Sequence, residues 1–310
     1  MSAERSNYTI LLVDDDQLIR DMISRFLSMD ERYNILTAES GSAALDVIET
    51  NRVDLVLSDI HMPGIRGFDL LKIVKQRYPD IKRVLITAYN VEDYIDLALN
   101  YDIGNIFVKS VPFNFSELDI ILNNLLENNI FGLERHFAKD VNIHRFLVRR
   151  PDTLADTAQK IVSIVDDAER GKKLELVVVE LLTNAMFYGI RQENPENRQY
   201  WNFDFELTEE TAIEAAVAVD SEKYAVSVKD RGGRLKKQDV LYWLHRQITQ
   251  DDNGMPLGLF DTHGRGLFIA RRYIDRLIVN IDRAKQTELI IVNYLNQDYS
   301  GSKPIFINEL

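Results

Sequence analysis

ILLVDDDQ, residues 10 to 17, runs an apolar strand directly into three consecutive aspartates. Carboxylates crowded in this way repel one another unless a positive group stands among them, so the stretch predicts a buried strand with a charged site at its end. Outward from it, YTILLV, YNILTA, VDLVLSD, RVLITA and NIFVK read as strands separated by amphipathic helical patterns over residues 8 to 127. Their apolar continuity predicts a sheet covered on both faces, and the alternation of strand with helix predicts a parallel, doubly wound α/β order. Ligands of such sheets gather at the carboxyl ends of the strands. Asp14, Asp15 and Asp16 stand there after the first strand, Asp59 after the third, Thr87 after the fourth and Lys109 after the fifth. Asp16 also suits a helix N-cap.

Composition narrows the classes. A chain of 310 residues has room for two domains with well-buried cores. With 37 basic against 49 acidic residues, the net charge of -12 argues against a nucleic-acid-binding surface. The lack of cysteine excludes disulfides, thiol redox chemistry and cysteine-ligated zinc. The opening MSAERSNYTILLVDDD shows no basic leader followed by an apolar segment, and no apolar run reaches membrane-spanning length. A soluble, cytoplasmic protein without membrane partners is expected.

Acidic groups, a hydroxyl and an ammonium at one sheet edge suit a hard divalent cation, beside which one carboxylate can attack phosphorus. The set resembles the receiver domain of two-component response regulators. The resemblance implies that Asp59, in LVLSDIHMPG, is the phosphoacceptor, that Asp14 and Asp15 are the acidic pair, and that Thr87 is the switch hydroxyl. It further implies Lys109 as the phosphate-contacting lysine and Phe107 as the switch aromatic. Mg2+ would be held by Asp15, Asp59 and the main-chain carbonyl of His61, with Asp14 beside them. The family's lysine-proline pair reads KSVPF here, which displaces Pro112. An upstream sensor histidine kinase would supply the phosphoryl group.

From Phe115 the pattern SELDIILNNLLENNIFGLERHFAK predicts that the last receiver helix continues into a helical connector. The expected boundaries are 1–127 for the receiver, 128–145 for the connector and 146–310 for a second domain. Arg135, Lys139, Arg145, Arg149 and Arg150 make the connector basic, as a solvated helix face would be. No Pro/Gly/Ser-rich linker interrupts it, so a stiff join is expected.

Beyond Arg150 the order changes to two helices followed by antiparallel strand signals, with AIEAAVAVDSEKYAVSVKD reading as a hairpin about DSEK. The second helix carries ELLTNAMFYG, residues 180 to 189, in which Glu180 and Asn184 stand one turn apart on one face. Asp230 precedes Gly232 and Gly233, and Gly264-Arg265-Gly266 precedes another helical run, where backbone amides can approach a phosphate. These motifs resemble the α+β two-layer Bergerat-type ATP-binding fold of gyrase, histidine kinases and mismatch-repair ATPases, and most closely the anti-sigma-factor serine kinases. The resemblance implies ATP and Mg2+ as cofactors, with Asn184 on magnesium, Asp230 and Thr287 on adenine, and Gly232 and Gly233 allowing close approach of the nucleotide. It also implies Gly264, Arg265 and Gly266 at the phosphates under a lid of residues 234 to 263, and Glu180 as general base. Two departures stand out: DRGGR puts Arg234 where a glycine is expected, and QENPENRQYWNFDFELTEE forms an acidic insert.

Two functions remain open on these grounds. One is a phosphorylation-controlled serine/threonine kinase acting on the antagonist of an anti-sigma factor; the other is an ATP-binding module that holds a sigma factor or antagonist without transferring phosphate. A hybrid histidine kinase fits less well, because His136 is followed by Phe137 and His144 by Arg145, with no acidic neighbour and no room for a dimerisation hairpin. A homodimer is compatible with each.

Overall fold

The computed structural model describes residues 8–137, 140–166, 171–194, 200–250, 255, 257–258, 270–295 and 302–310. The chain divides into two compact units, residues 1–130 and 131–310.

The first unit alternates strand and helix: β1 (Tyr8–Val13), α1 (Gln17–Leu27), β2 (Tyr33–Ala38), α2 (Gly41–Thr50), β3 (Leu55–Asp59), α3 (Gly67–Arg77), β4 (Lys82–Thr87), α4 (Ile95–Tyr101), β5 (Asn105–Val108) and α5 (Phe115–Leu126). Its strands lie parallel in the order β2-β1-β3-β4-β5. Every residue of β3, LVLSD, is buried, as a strand covered on both faces requires. Asp16 caps α1 by accepting from the Leu18 amide at 2.8 Å, so the third aspartate of the opening run serves the helix. Ser40 and Asn114 cap α2 and α5 in the same way. This is the doubly wound α/β order expected from the sequence.

The expected helical connector over 128–145 is not formed. α5 stops at Leu126, Asn128 takes a left-handed φ of 50° and Gly132 a φ of 109°, which end helical geometry. A short 3-10 turn, Leu133–His136, follows, and then β6 (Ile143–Val148), whose β-branched and aromatic residues pair antiparallel with a strand of the second unit. The helical periodicity of the sequence therefore misled beyond Glu127.

The second unit continues with α6 (Leu154–Val165), α7 (Gly171–Thr183), a π-helical stretch Asn184–Ile190, β7 (Ile213–Val219), β8 (Lys223–Asp230), α8 (Lys237–Ile248), β9 (Arg276–Asp282), β10 (Gln286–Tyr294) and β11 (Ile305–Glu309). Its strand order is β11-β9-β10-β8-β7-β6, antiparallel except for β11 beside β9. The hairpin read from the sequence is β7 and β8, closed by Asp220, which accepts from the amides of Glu222 and Lys223 at 2.8 Å. α6 and α7 pack on each other and on the β6 to β8 region, giving the two-layer α+β arrangement. Within the expected lid, residues 237 to 248 form α8.

Two candidate functional sites

The first site stands at the carboxyl ends of β1, β3, β4 and β5. Lys109 places its ammonium 2.6 Å from Asp14 and 2.5 Å from Asp59. Asp14 and Asp59 are buried, while Asp15 is exposed at the rim. Burial pushes the Asp59 carboxyl up from its ordinary range, and Lys109 opposes that rise. Burial also pulls the Lys109 ammonium down, but the two carboxylates outweigh it and hold the ammonium above its usual value. The second Asp59 oxygen accepts from the His61 amide at 2.6 Å, and the Thr87 hydroxyl oxygen accepts from the Tyr89 amide at 3.0 Å.

Two carboxylates thus converge on a lysine, and among the described residues no cluster of three or more acidic or imidazole groups closes on a metal. Magnesium needs only one or two carboxylates and keeps several waters, so Asp14 and Asp59, with Asp15 and the His61 carbonyl nearby in sequence, fit that ion. Gly67, which sequence reasoning passed over, lies so close behind Asp59 that a Cβ there would fall 2.1 Å from the Asp59 carbonyl oxygen. Phe107, expected as the switch aromatic, lies inward in this structure. It is fully buried, 5.5 Å from the ring of Phe113, which leads through Phe115 to Phe26 of α1. Strand alternation puts it on the α1 and α5 side. The aromatics beside the Asp59 loop are instead Tyr89 and Tyr94, whose rings lie 4.8 and 5.6 Å from His61. The cis peptide falls at Val111–Pro112, inside KSVPF.

The second site is built by α7, the π-helical stretch, β8 and β10. Asp230 ends β8 and is 3% exposed; burial raises its carboxyl to about 6 against the pull of the Gly232 and Gly233 amides. The Gly232 amide donates to it at 2.8 Å. Directly across the strand pair stands Thr287, 2% exposed, with no partner for Oγ1 among the described residues. A buried acceptor beside an unmatched buried hydroxyl suits the polar edge of an adenine. Glu180 and Asn184 are half-buried on either side of the point where the α-helix turns π-helical, and neither side chain has a hydrogen-bond partner among the described residues. Such π turns recur at functional sites.

Gly189 was missed by the sequence reading although it is the lone glycine of the π-helical stretch, inside an otherwise helical pattern, a signal that pointed to it. A Cβ on Gly189 would come within 2.7 Å of the Asp230 carboxyl carbon, and one on Gly232 within 2.0 Å of the Gly189 carbonyl oxygen. The two backbones touch, and the contact brings the helix to the aspartate. Arg234 is exposed beyond this contact. Gly264, Arg265 and Gly266, together with the end of the expected lid, lie outside the described residues.

A lysine-bridged carboxylate pair at the edge of a parallel sheet and a glycine-lined aspartate beneath a helix define a signalling protein with a phosphoacceptor unit and a nucleotide-binding unit. Residues 10–123 match the response regulator receiver domain and residues 150–292 match the histidine kinase-like ATPase domain. The chain is a response regulator receiver fused to a histidine kinase-like ATPase domain of the GHKL type. It is 29% identical over 103 residues to the transcriptional regulatory protein DegU of Brevibacillus brevis, covering 33% of this chain and 44% of that protein. It is 35% identical over 112 residues to YvrH of Bacillus subtilis, covering 36% and 46%. The chain thus spans under half the length of either relative. Among solved structures, a CheY-like receiver from Methanospirillum hungatei is 28% identical and covers 40% of this chain and 98% of its own, with a TM-score of 0.37. The receiver implies an upstream phosphodonor kinase, and the ATPase domain implies ATP binding. Among the described residues, no helix is long and apolar enough to cross a membrane.

Proposed function

We propose that phosphorylation of Asp59 controls a cytoplasmic switch whose ATPase domain uses Mg-ATP to phosphorylate a serine or threonine of a partner, the antagonist of an anti-sigma factor. The observation that carries this reading is Glu180: half-buried, one turn ahead of Asn184 and without a hydrogen-bond partner among the described residues. A carboxylate left free beside a nucleotide pocket can take the proton from an attacking hydroxyl. Asn184 would hold magnesium, which offsets charge on the ATP phosphates when bound. Asp230 and Thr287 hold the adenine edge, and the touching backbones of Gly189 and Gly232 keep side chains out of its way. In the receiver, Asp14, Asp15 and the His61 carbonyl would keep magnesium against Asp59 while Lys109 binds the added phosphoryl oxygens.

The test is transfer from γ-labelled ATP to partner proteins recovered by pull-down. Acid-stable label on a partner serine or threonine supports the kinase. ATP binding with no transfer to any recovered partner would establish the non-catalytic module, and label on a histidine of this chain would establish autokinase activity.

A further inference from the structure

Glu288 follows Thr287 on β10 and is 3% exposed. Successive residues of a strand face opposite ways, so Thr287 and Glu288 occupy opposite faces of the sheet. Behind the adenine face, Glu288 sits in a polar row that crosses five strands in direct register: Asn308 opposite Asn280, Asn280 opposite Glu288, Glu288 opposite Lys229, and Lys229 opposite Glu214. Asn308 donates to Asn280 at 2.8 Å and Lys229 pairs with Glu214 at 2.6 Å. A buried carboxylate is costlier than an apolar side chain of the same size, so packing alone does not account for Glu288.

Its carboxylate is met by a segment from far away in the sequence. The amide of Gly132, two residues after the first unit ends at Ile130, donates to Glu288 at 2.8 Å. The turn that follows is seated on the same strands, with Leu133 2% and His136 5% exposed. Burial, then Lys223 and Arg135, hold the His136 imidazole down at about 3, which keeps it neutral at this position. Residues 131 to 137 therefore form a strap behind β7 and β8 that reaches β10, whose front carries Thr287, through the Gly132 amide.

We infer that Glu288 is a positioning residue that reports the state of the strap to the nucleotide site. With the strap seated, the carboxylate is satisfied and β10 is fixed. When a change in the receiver draws the strap away, the buried carboxylate loses its Gly132 donor and keeps only Asn280 and the charge of Lys229, and β10 shifts together with Thr287. This inference rests on the proposed nucleotide role of Thr287 and adds the route by which the receiver reaches it.

The experiment uses the full chain and measures Mg-ATP affinity by calorimetry with and without beryllofluoride, together with hydrogen exchange of the Gly132 amide. In the wild type, beryllofluoride is expected to change affinity about tenfold, the usual size of such coupling, and to speed exchange at Gly132. Glu288→Ala should reduce the response to under about twofold, and Leu133→Asp, which unseats the strap without touching the sheet, should do the same. Glu288→Gln keeps the acceptor and the fold and should retain most of the response. A full response in both Glu288→Ala and Leu133→Asp would overturn the inference, as would a wild type that binds ATP without responding to beryllofluoride. A wild type that binds no ATP would instead refute the proposed function on which the inference rests.

Discussion

Lys109 holds its ammonium 2.5 Å from Asp59 while also touching Asp14, so a single positive charge keeps two buried carboxylates together. Removing one member of such a set leaves uncompensated buried charge, which costs about 3 to 5 kcal/mol. Lys109→Met should lower stability by that order at neutral pH, and magnesium should restore part of it by replacing the lost charge. Urea titrations with and without magnesium check this; equal destabilisation in both would mean that no cation reaches the carboxylates.

Asp59 combines the end of β3 with hydrogen bonds from the Lys109 ammonium and the His61 amide. Beryllofluoride and small phosphodonors should modify it in a magnesium-dependent manner, with modification abolished in Asp59→Asn and reduced in Asp14→Asn. Intact-mass spectrometry reads the outcome, and modification surviving in Asp59→Asn would remove it from the role.

Glu180 and Asn184 should separate when each is changed. A base acts on the transferred proton and not on the bound nucleotide, so Glu180→Gln should bind Mg-ATP within about twofold of wild type while losing transfer by about a hundredfold or more. Asn184→Ala, which removes the proposed magnesium ligand, should weaken Mg-ATP binding about tenfold. Turnover equal to wild type in Glu180→Gln would favour the binding module.

Asp230 carries a pH signature of stability. Its carboxyl is raised to about 6 in the folded state from an ordinary value of 3.8. The native state therefore holds the proton more tightly than the unfolded chain. The stabilisation this gives is complete below pH 3.8 and is lost as pH rises through about 6. Above that, the buried charge weakens the nucleotide-free protein by on the order of 3 kcal/mol, the equivalent of the shift. Asp230→Asn should then melt higher than wild type at pH 8 and lose that advantage at pH 4, while binding ATP more weakly. Equal melting of the two proteins at pH 8 would show that Asp230 is not held in a dry site.

Gly189 offers a contest between two effects of opposite sign. Alanine favours helices over glycine by about 1 kcal/mol, so on propensity alone Gly189→Ala should stabilise. The Cβ would meet the Asp230 carboxyl at 2.7 Å, which the buried aspartate cannot yield to without moving its strand end. Lower stability and a loss of ATP affinity of about tenfold are expected, read by thermal melting and calorimetry.

How far each site could be read beforehand follows from what local sequence encodes. Asp59, Thr87 and Lys109 were legible because apolar runs locate strand ends, and polar residues at strand ends are conspicuous. Glu180 and Asn184 were legible as an interruption of an apolar helix. The face that Phe107 takes was not legible because strand parity decides it, and four residues of NIFV do not reveal which face meets α1. The connector was misread because Asn128 and Gly132 break a helix only through their φ angles, and the charged residues after them kept a helical rhythm. Gly189 escaped because its significance is a contact with a strand some forty residues later.

The π-helical stretch makes stability and function separable. Arg191 donates to the Met186 carbonyl, five residues back, so this turn holds one residue more than an α-helix needs. Deleting a single residue between Asn184 and Gly189 would let the turn relax to α-helical bonding with every amide still engaged. The glycine would then leave its contacts with the Asp230 carboxyl and the Gly232 backbone, and the chain would remain a sound helix that no longer meets the end of β8. Length, at this point in the chain, is as much a part of the site as the side chains are.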